Sequence, residues 1–249
     1  MMRTEPIRHN DCREGTLMRY RPGSKSSSGY TLVELMIVVI IIAIMSALAA
    51  PALMEGRKNS ILGEAARRTQ EIFETARARA LMRNSAMRIT VTKGTVGTPG
   101  SIWLTESTSN SCRPQGGWPT ASDTTGRYHI VGLDLNHKHF KQFNIYMSEL
   151  RIGSVAYDPS TGTRTVSGTA IGTQLDLCLN RRGRMLRNTG SFTAPIWIPL
   201  NTGGSGCSSW ACYKDFQVVI GFQRQDDGVD VGVERLVVTK QGAVSRIIR

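Results

Sequence analysis

Few residues in this 249-residue chain have the types and spacing that chemistry needs, and the most telling is a carboxylate in an apolar setting. Glu34 lies in Gly29-Tyr30-Thr31-Leu32-Val33-Glu34-Leu35, and the stretch from Met36 to Met54 that follows carries no charge. A carboxylate at the head of such a run is costly unless a cation pairs with it, so Glu34 marks a contact whose partner lies outside its own helix. Asp226, Asp227 and Asp230 have the oxygens to gather around Ca2+, although acids beside an Asp-Gly turn ordinarily form a solvated hairpin. Cysteines stand at 12, 112, 178, 207 and 212. No G-x-S-x-G elbow, H-E-x-x-H pair or G-x-x-x-x-G-K-S/T loop occurs, and the Gly-rich runs around Gly97 and Gly203 follow no nucleotide pattern, so an enzyme is not expected.

The elements that must position these residues follow from patterning. Leu35 to Met54 spans 20 residues, which as a helix covers ~30 Å, the thickness of a bilayer's hydrocarbon core. Beyond Pro51 the run turns amphipathic. Ile61, Leu62, Ala65, Ala66, Thr69, Ile72, Phe73, Ala76 and Ala80 recur at three- and four-residue steps, with Arg67, Arg68, Glu71, Glu74, Arg79 and Arg83 mostly on the other face. One long helix to about Asn84 is predicted, with Glu64 and Arg68 paired one turn apart. From Arg88 the pattern becomes β-branched or alternating. Strands are expected at 88–91, 102–105, 128–135, 151–157, 175–179, 192–198, 216–222, 229–239 and 244–248, with a hairpin at Asp227-Gly228 and long loops at 107–126 and 199–214. The predicted fold is α+β: a long N-terminal helix, transmembrane in its first half, packed against an antiparallel β head.

Gly29 before an aromatic residue, then Thr31-Leu32-Val33-Glu34-Leu35 and an apolar run, resembles the processing site of type IV prepilins and type II secretion pseudopilins. The resemblance implies a leader of residues 1–29, cut by a prepilin peptidase between Gly29 and Tyr30, and N-methylation of the new Tyr30 terminus. It also implies pairing of Glu34 with a Tyr30 ammonium during filament assembly, and a helix kink at Pro51, where an interior proline removes a backbone donor and crowds the preceding turn. Met18 offers an alternative start to Met1. The implied organisation is an assembly helix at 30–54, its amphipathic continuation at 55–87 and a periplasmic head at 88–249, on a single-pass protein of the bacterial inner membrane. A secretory signal peptide is the rival reading, with Ala47-Leu48-Ala49 as its cleavage site. The apolar run is overlong for that and carries Glu34 at its start.

Ala76-Arg77-Ala78-Arg79-Ala80-Leu81-Met82-Arg83-Asn84, running into Ile89-Thr90-Val91, is similar to the helix-to-first-strand segment of the pseudopilin H and FimT/FimU group of minor pilins. Asn180-Arg181-Arg182-Gly183-Arg184 resembles that group's turn between strands, and Lys240-Gln241-Gly242 its carboxyl end. The function implied is that of a non-enzymatic subunit of a type II secretion pseudopilus or a type IV pilus. Its partners would be other pilins, the prepilin peptidase and an inner-membrane assembly platform; no cofactor is implied, though some pseudopilins bind calcium. An alternative is a DNA-binding minor pilin for natural transformation, with Lys240, Arg246, Arg249, Arg181, Arg182 and Arg184 as phosphate contacts. In the FimT-like motif Ala243 stands where the first arginine is expected.

Loss of the leader would remove Cys12 and leave four cysteines, an even number suited to an oxidising compartment. Of three connectivities, a local Cys207–Cys212 bridge closes easily around Ser-Ser-Trp-Ala and leaves Cys112 with Cys178. Zinc is the rival, but there is no C-x-x-C, and His129, His137 and His139 have no ligand spacing with the cysteines. The leader holds six Lys/Arg and three acids, so its removal takes the formal charge from +12 to +9. That balance favours anionic partners.

Overall fold

The computed structural model describes residues 29–113, 118–119, 130–158, 160, 163–190, 195–200, 217–239 and 241–247. Cys12, Met18, His129, Cys207, Cys212, Lys240 and Arg249 lie outside the described residues. The chain divides into two compact units, Met1–Ala49 and Ala50–Arg249. The long helix α1 covers Leu32–Met82, with Pro51 inside it.

In the first unit α1 is largely apolar, with Glu34 its one charged residue, and its large apolar side chains from Leu32 to Leu48 are exposed. It is the one helix among the described residues long and apolar enough to cross a membrane, and none of its apolar window is buried.

The second unit begins with the amphipathic part of α1. Its buried residues are Ile61, Leu62, Ala65, Ala66, Thr69, Ile72, Phe73, Ala76 and Ala80, the face set by the 3.6-residue repeat. The alanines let backbone and sheet approach closely. Thr69 returns its hydroxyl to the Ala65 carbonyl at 3.0 Å, so burial leaves no orphaned donor.

The strands form two antiparallel sheets. One contains β1 (Met87–Thr92), β2 (Ser101–Glu106), β3 (Val131–Asp134), β6 (Gln174–Leu179), β7 (Met185–Asn188) and β8 (Trp197–Pro199), in the order β3-β2-β1-β6-β7-β8. The other contains β4 (Ile145–Asp158), β5 (Thr163–Ala170), β9 (Gln217–Asp226), β10 (Val229–Val238) and β11 (Val244–Ile247), in the order β11-β10-β9-β4-β5. A short helix α2 (Lys138–Lys141) precedes β4.

One continuous core joins α1 to both sheets, through Ile89, Leu104 and Leu177 of the first and Leu150, Ile220 and Leu236 of the second. Alternate residues of the first sheet point the other way and bury a second cluster of Ala86, Cys112, Cys178 and Trp197. Gly232 occupies the bulge where β10 shifts register between Val231 and Val233. Its φ of +70° is one that side-chain-bearing residues rarely adopt, and a Cβ there would stand 3.3 Å from Leu62.

Two strands depart from the sequence reading. β5 is not among the expected strands, its Thr-Arg-Thr-Val-Ser-Gly-Thr-Ala being largely polar; pairing with β4 from Arg151↔Ala170 to Asp158↔Thr163 makes it one. β7 is only four residues and is recruited by β6 through Cys178↔Leu186. β4 also starts earlier than expected, at Ile145, because a bulge between Met147 and Glu149 interrupts its alternation.

Candidate functional site

At the amino end, Tyr30 is 82 % exposed. Thr31 precedes the first helical residue, and the Glu34 amide donates to its Oγ1 at 3.2 Å. Thr31 is therefore the N-cap, and Thr31-Leu32-Val33-Glu34 has the Thr-x-x-Glu spacing of a capping box. The sequence reading missed this role. Glu34 also lies in the first helical turn, where the helix dipole favours an anion. Its carboxylate makes no ion pair among the described residues and remains available for a cation outside the chain.

In the second unit, α1 is fastened to the head by charged groups. Arg224 of β9 is 2 % exposed. Its guanidinium meets Glu55 at 2.7 Å and Asn59 at 3.0 Å on α1, and Asp226 at 2.8 Å on its own strand. Lys58 reaches the other Asp226 oxygen at 3.2 Å. The β9–β10 hairpin turns at Asp227 and Gly228, both at positive φ, as Asp-Gly predicts. Asp230 accepts a 2.7 Å hydrogen bond from the Tyr146 hydroxyl. Burial, and secondarily that carboxylate, push the Tyr146 hydroxyl up to about 12. Of the three acids considered for calcium, Asp226 thus turns to Arg224 and Lys58 and Asp230 to Tyr146, while Asp227 forms the turn. Among the described residues no group of three or more His, Cys, Asp or Glu side chains could hold a metal ion.

The predicted Glu64–Arg68 pair forms at 2.6 Å, and Glu64 also meets His139 Nε2 at 3.0 Å. The His139 hydrogen bond is the main reason the Glu64 carboxyl lies below its ordinary value; burial opposes it, and Arg68 adds to it. His139 is held there by α2, whose Phe140 enters the core.

Cys112 and Cys178 are disulfide-bonded, with Cα atoms 6.0 Å apart. Cys178 is directly opposite Arg88 in the β1–β6 ladder. Arg88, 2 % exposed, binds Asp176 at 2.8 Å, and Thr90 donates to the other Asp176 oxygen at 2.9 Å. The Arg88 guanidinium lies 5.8 Å from the centre of the Trp118 ring. Trp118 therefore covers a buried ion pair, whereas sequence alone makes Arg88 only the first residue of an expected strand.

Arg181, Arg182 and Arg184 project from the β6–β7 turn. The Asn180 carboxamide oxygen accepts from the Arg182 and Arg184 amides, each at 3.0 Å, and Gly183 supplies a φ of +69°. All three arginines are exposed, and they share a concave surface with Arg77 of α1 and Arg113 beside the disulfide. Of the other basic positions considered, Arg246 lies on β11, and Lys240 and Arg249 are outside the described residues.

Residues 24–50 match the prokaryotic N-terminal methylation motif. This type IV pilin-like signal covers 27 of the 249 residues and encloses Gly29, Tyr30 and Glu34. The motif supports a type IV pilin-like protein processed by a prepilin peptidase, and with the apolar start of α1 it points to membrane anchoring. Comparisons with curated proteins and with solved structures found no match.

Proposed function

We propose that this chain is a minor pilin or pseudopilin of the pseudopilin H and FimT/FimU group, a non-enzymatic subunit of a type II secretion pseudopilus or type IV pilus. The observation that carries the reading is the methylation motif at 24–50, placed at the start of a helix whose apolar side chains are exposed. Such a surface is stable only when lipid or other apolar helices cover it.

In this reading residues 1–29 are the leader, removed between Gly29 and Tyr30, and the Tyr30 amine is methylated. Residues 30–54 hold the subunit in the inner membrane and then in a helical bundle, while 55–87 carry the periplasmic head of 88–249. Glu34 neutralises the Tyr30 ammonium of an adjoining subunit. Low dielectric inside the bundle strengthens that pairing and makes an unpaired charge costly, which fixes the axial register of subunits.

Co-expression with a prepilin peptidase tests it. Amino-terminal mass spectrometry should give a chain beginning at N-methylated Tyr30, and Gly29→Val should block the cut. A start at Ala50 or Pro51 would instead identify a secretory signal peptide.

A further inference from the structure

Charge is unevenly matched across the second unit. Arg67, Arg68, Arg88, Arg224 and Arg235 each face a carboxylate within 2.9 Å. Around the β6–β7 turn the arginines do not: Arg77, Arg113, Arg181, Arg182 and Arg184 make no ion pair among the described residues. They surround two cavities, of about 820 and 400 Å3, that share Asn180, Arg182 and Leu186 and so form one groove. Among the described residues no Asp or Glu lines either cavity. Between the cations the walls are aliphatic, with Leu81 of α1 on one side and Met185, Pro199 and Leu200 on the other.

We infer that this groove binds an acidic, aliphatic peptide segment of a protein partner. Five guanidiniums with no ion pair among the described residues favour an anionic ligand, and a guanidinium takes a carboxylate through two parallel hydrogen bonds. The aliphatic walls ask for an apolar contribution from the same ligand. A nucleic acid strand would gain instead from exposed aromatic rings on which bases stack. Among the described residues the one aromatic side chain lining the groove, Trp197, is buried beside Trp118. A cavity of this volume matches a short peptide or small molecule. The site is also preformed, since Asn180 pins the turn and the Cys112–Cys178 bridge anchors the neighbour of Arg113. Little ordering is then needed on binding.

The test is fluorescence anisotropy of the full chain in uncharged detergent. The probes are a labelled hexapeptide of alternating glutamate and leucine, its glutamine–leucine counterpart and a labelled oligothymidylate. The acidic peptide should bind saturably, and the glutamine peptide roughly tenfold more weakly or worse. Arg182→Gln with Arg184→Gln should weaken the acidic peptide by about tenfold or more, whereas Lys138→Gln with Lys141→Gln, which removes the same charge from α2, should change it less than about twofold. Arg77→Gln, on the α1 wall and outside the turn, should act in the same direction as the turn variants. No saturable binding of the acidic peptide would overturn the inference, as would equal losses in the two double variants. Displacement of the peptide by oligothymidylate at lower concentration would assign the groove to nucleic acid and overturn it too.

Discussion

Arg224 of β9 and Glu55 of α1, 169 residues apart in the chain, meet through a 2.7 Å hydrogen bond that ties the helix to the hairpin of the second sheet. The two ends of the pair differ in solvation: the guanidinium side chain is 2 % exposed and the Glu55 side chain 51 %. Removing one partner of a buried pair is damaging mainly when the group left behind is the buried one. Replacing Arg224 leaves two carboxylates that water reaches, whereas replacing the carboxylates strands a guanidinium in the interior.

The ordering of variants follows. Glu55→Gln with Asp226→Asn should destabilise the head by about 3–5 kcal/mol, and Arg224→Met by only about 1–2 kcal/mol, because methionine fills much of the same space without a charge. Tryptophan fluorescence during urea unfolding of the full chain in detergent reads both. The reverse order would mean that Arg224 contributes attraction rather than a desolvation burden.

Glu64 predicts a pH dependence. Its carboxyl is held below the ordinary 4.5 by His139 and Arg68, so its contribution to stability is fully present above the unfolded value and is lost as pH falls through the folded one. Glu64→Gln should therefore destabilise the head at pH 7, and the gap from the parent should close as pH drops below about 4. Urea midpoints measured across that window check it. A gap that persists at low pH would indicate that Glu64 acts through packing.

The disulfide closes a long stretch, its cysteines standing 66 positions apart in sequence. Chain entropy alone assigns it about 4 kcal/mol, and Cys112→Ser with Cys178→Ser should lower stability by up to that amount. The same variant should change near-ultraviolet tryptophan dichroism, since Trp118 and Trp197, 6.2 Å apart, lie in the cluster that the bridge holds together. Non-reducing peptide maps should link residue 112 to residue 178. They would also decide the proposed Cys207–Cys212 bridge.

What sequence made legible was what repeats locally. The nine buried positions of α1 follow helical period alone, and Asp227-Gly228 follows from the φ values that its turn requires. Cys112 and Cys178 were reached by setting aside the pair that closes locally. Distant pairings were not legible in the same way. Arg224 and Arg88 carry no local sign of burial, because their partners Glu55 and Asp176 arrive from other elements. His139 meets Glu64 only because α2 docks through Phe140. β5 is a strand because β4 lies beside it, which overrides its polar composition.

At the amino end, one residue has two physical roles that substitution can separate. Glu34 stands at the third position after the Thr31 cap, which explains it as part of a helix start, and it is also the acid proposed to meet the Tyr30 ammonium of a neighbour. Thr31→Ala removes the cap oxygen and should loosen the first turn by about 1 kcal/mol, leaving the carboxylate in place. Glu34→Gln keeps a residue suited to the capping box and removes the charge. If charge pairing governs assembly, Glu34→Gln should lower incorporation into filaments by roughly tenfold or more, as expected for loss of a charge-assisted contact in a low-dielectric bundle, while Thr31→Ala lowers it by less than about threefold. Immunoblotting of sheared filament fractions, normalised to membrane-inserted protein, measures both. Equal losses in the two variants would make Glu34 a helix-start residue and remove the pairing from the assembly mechanism.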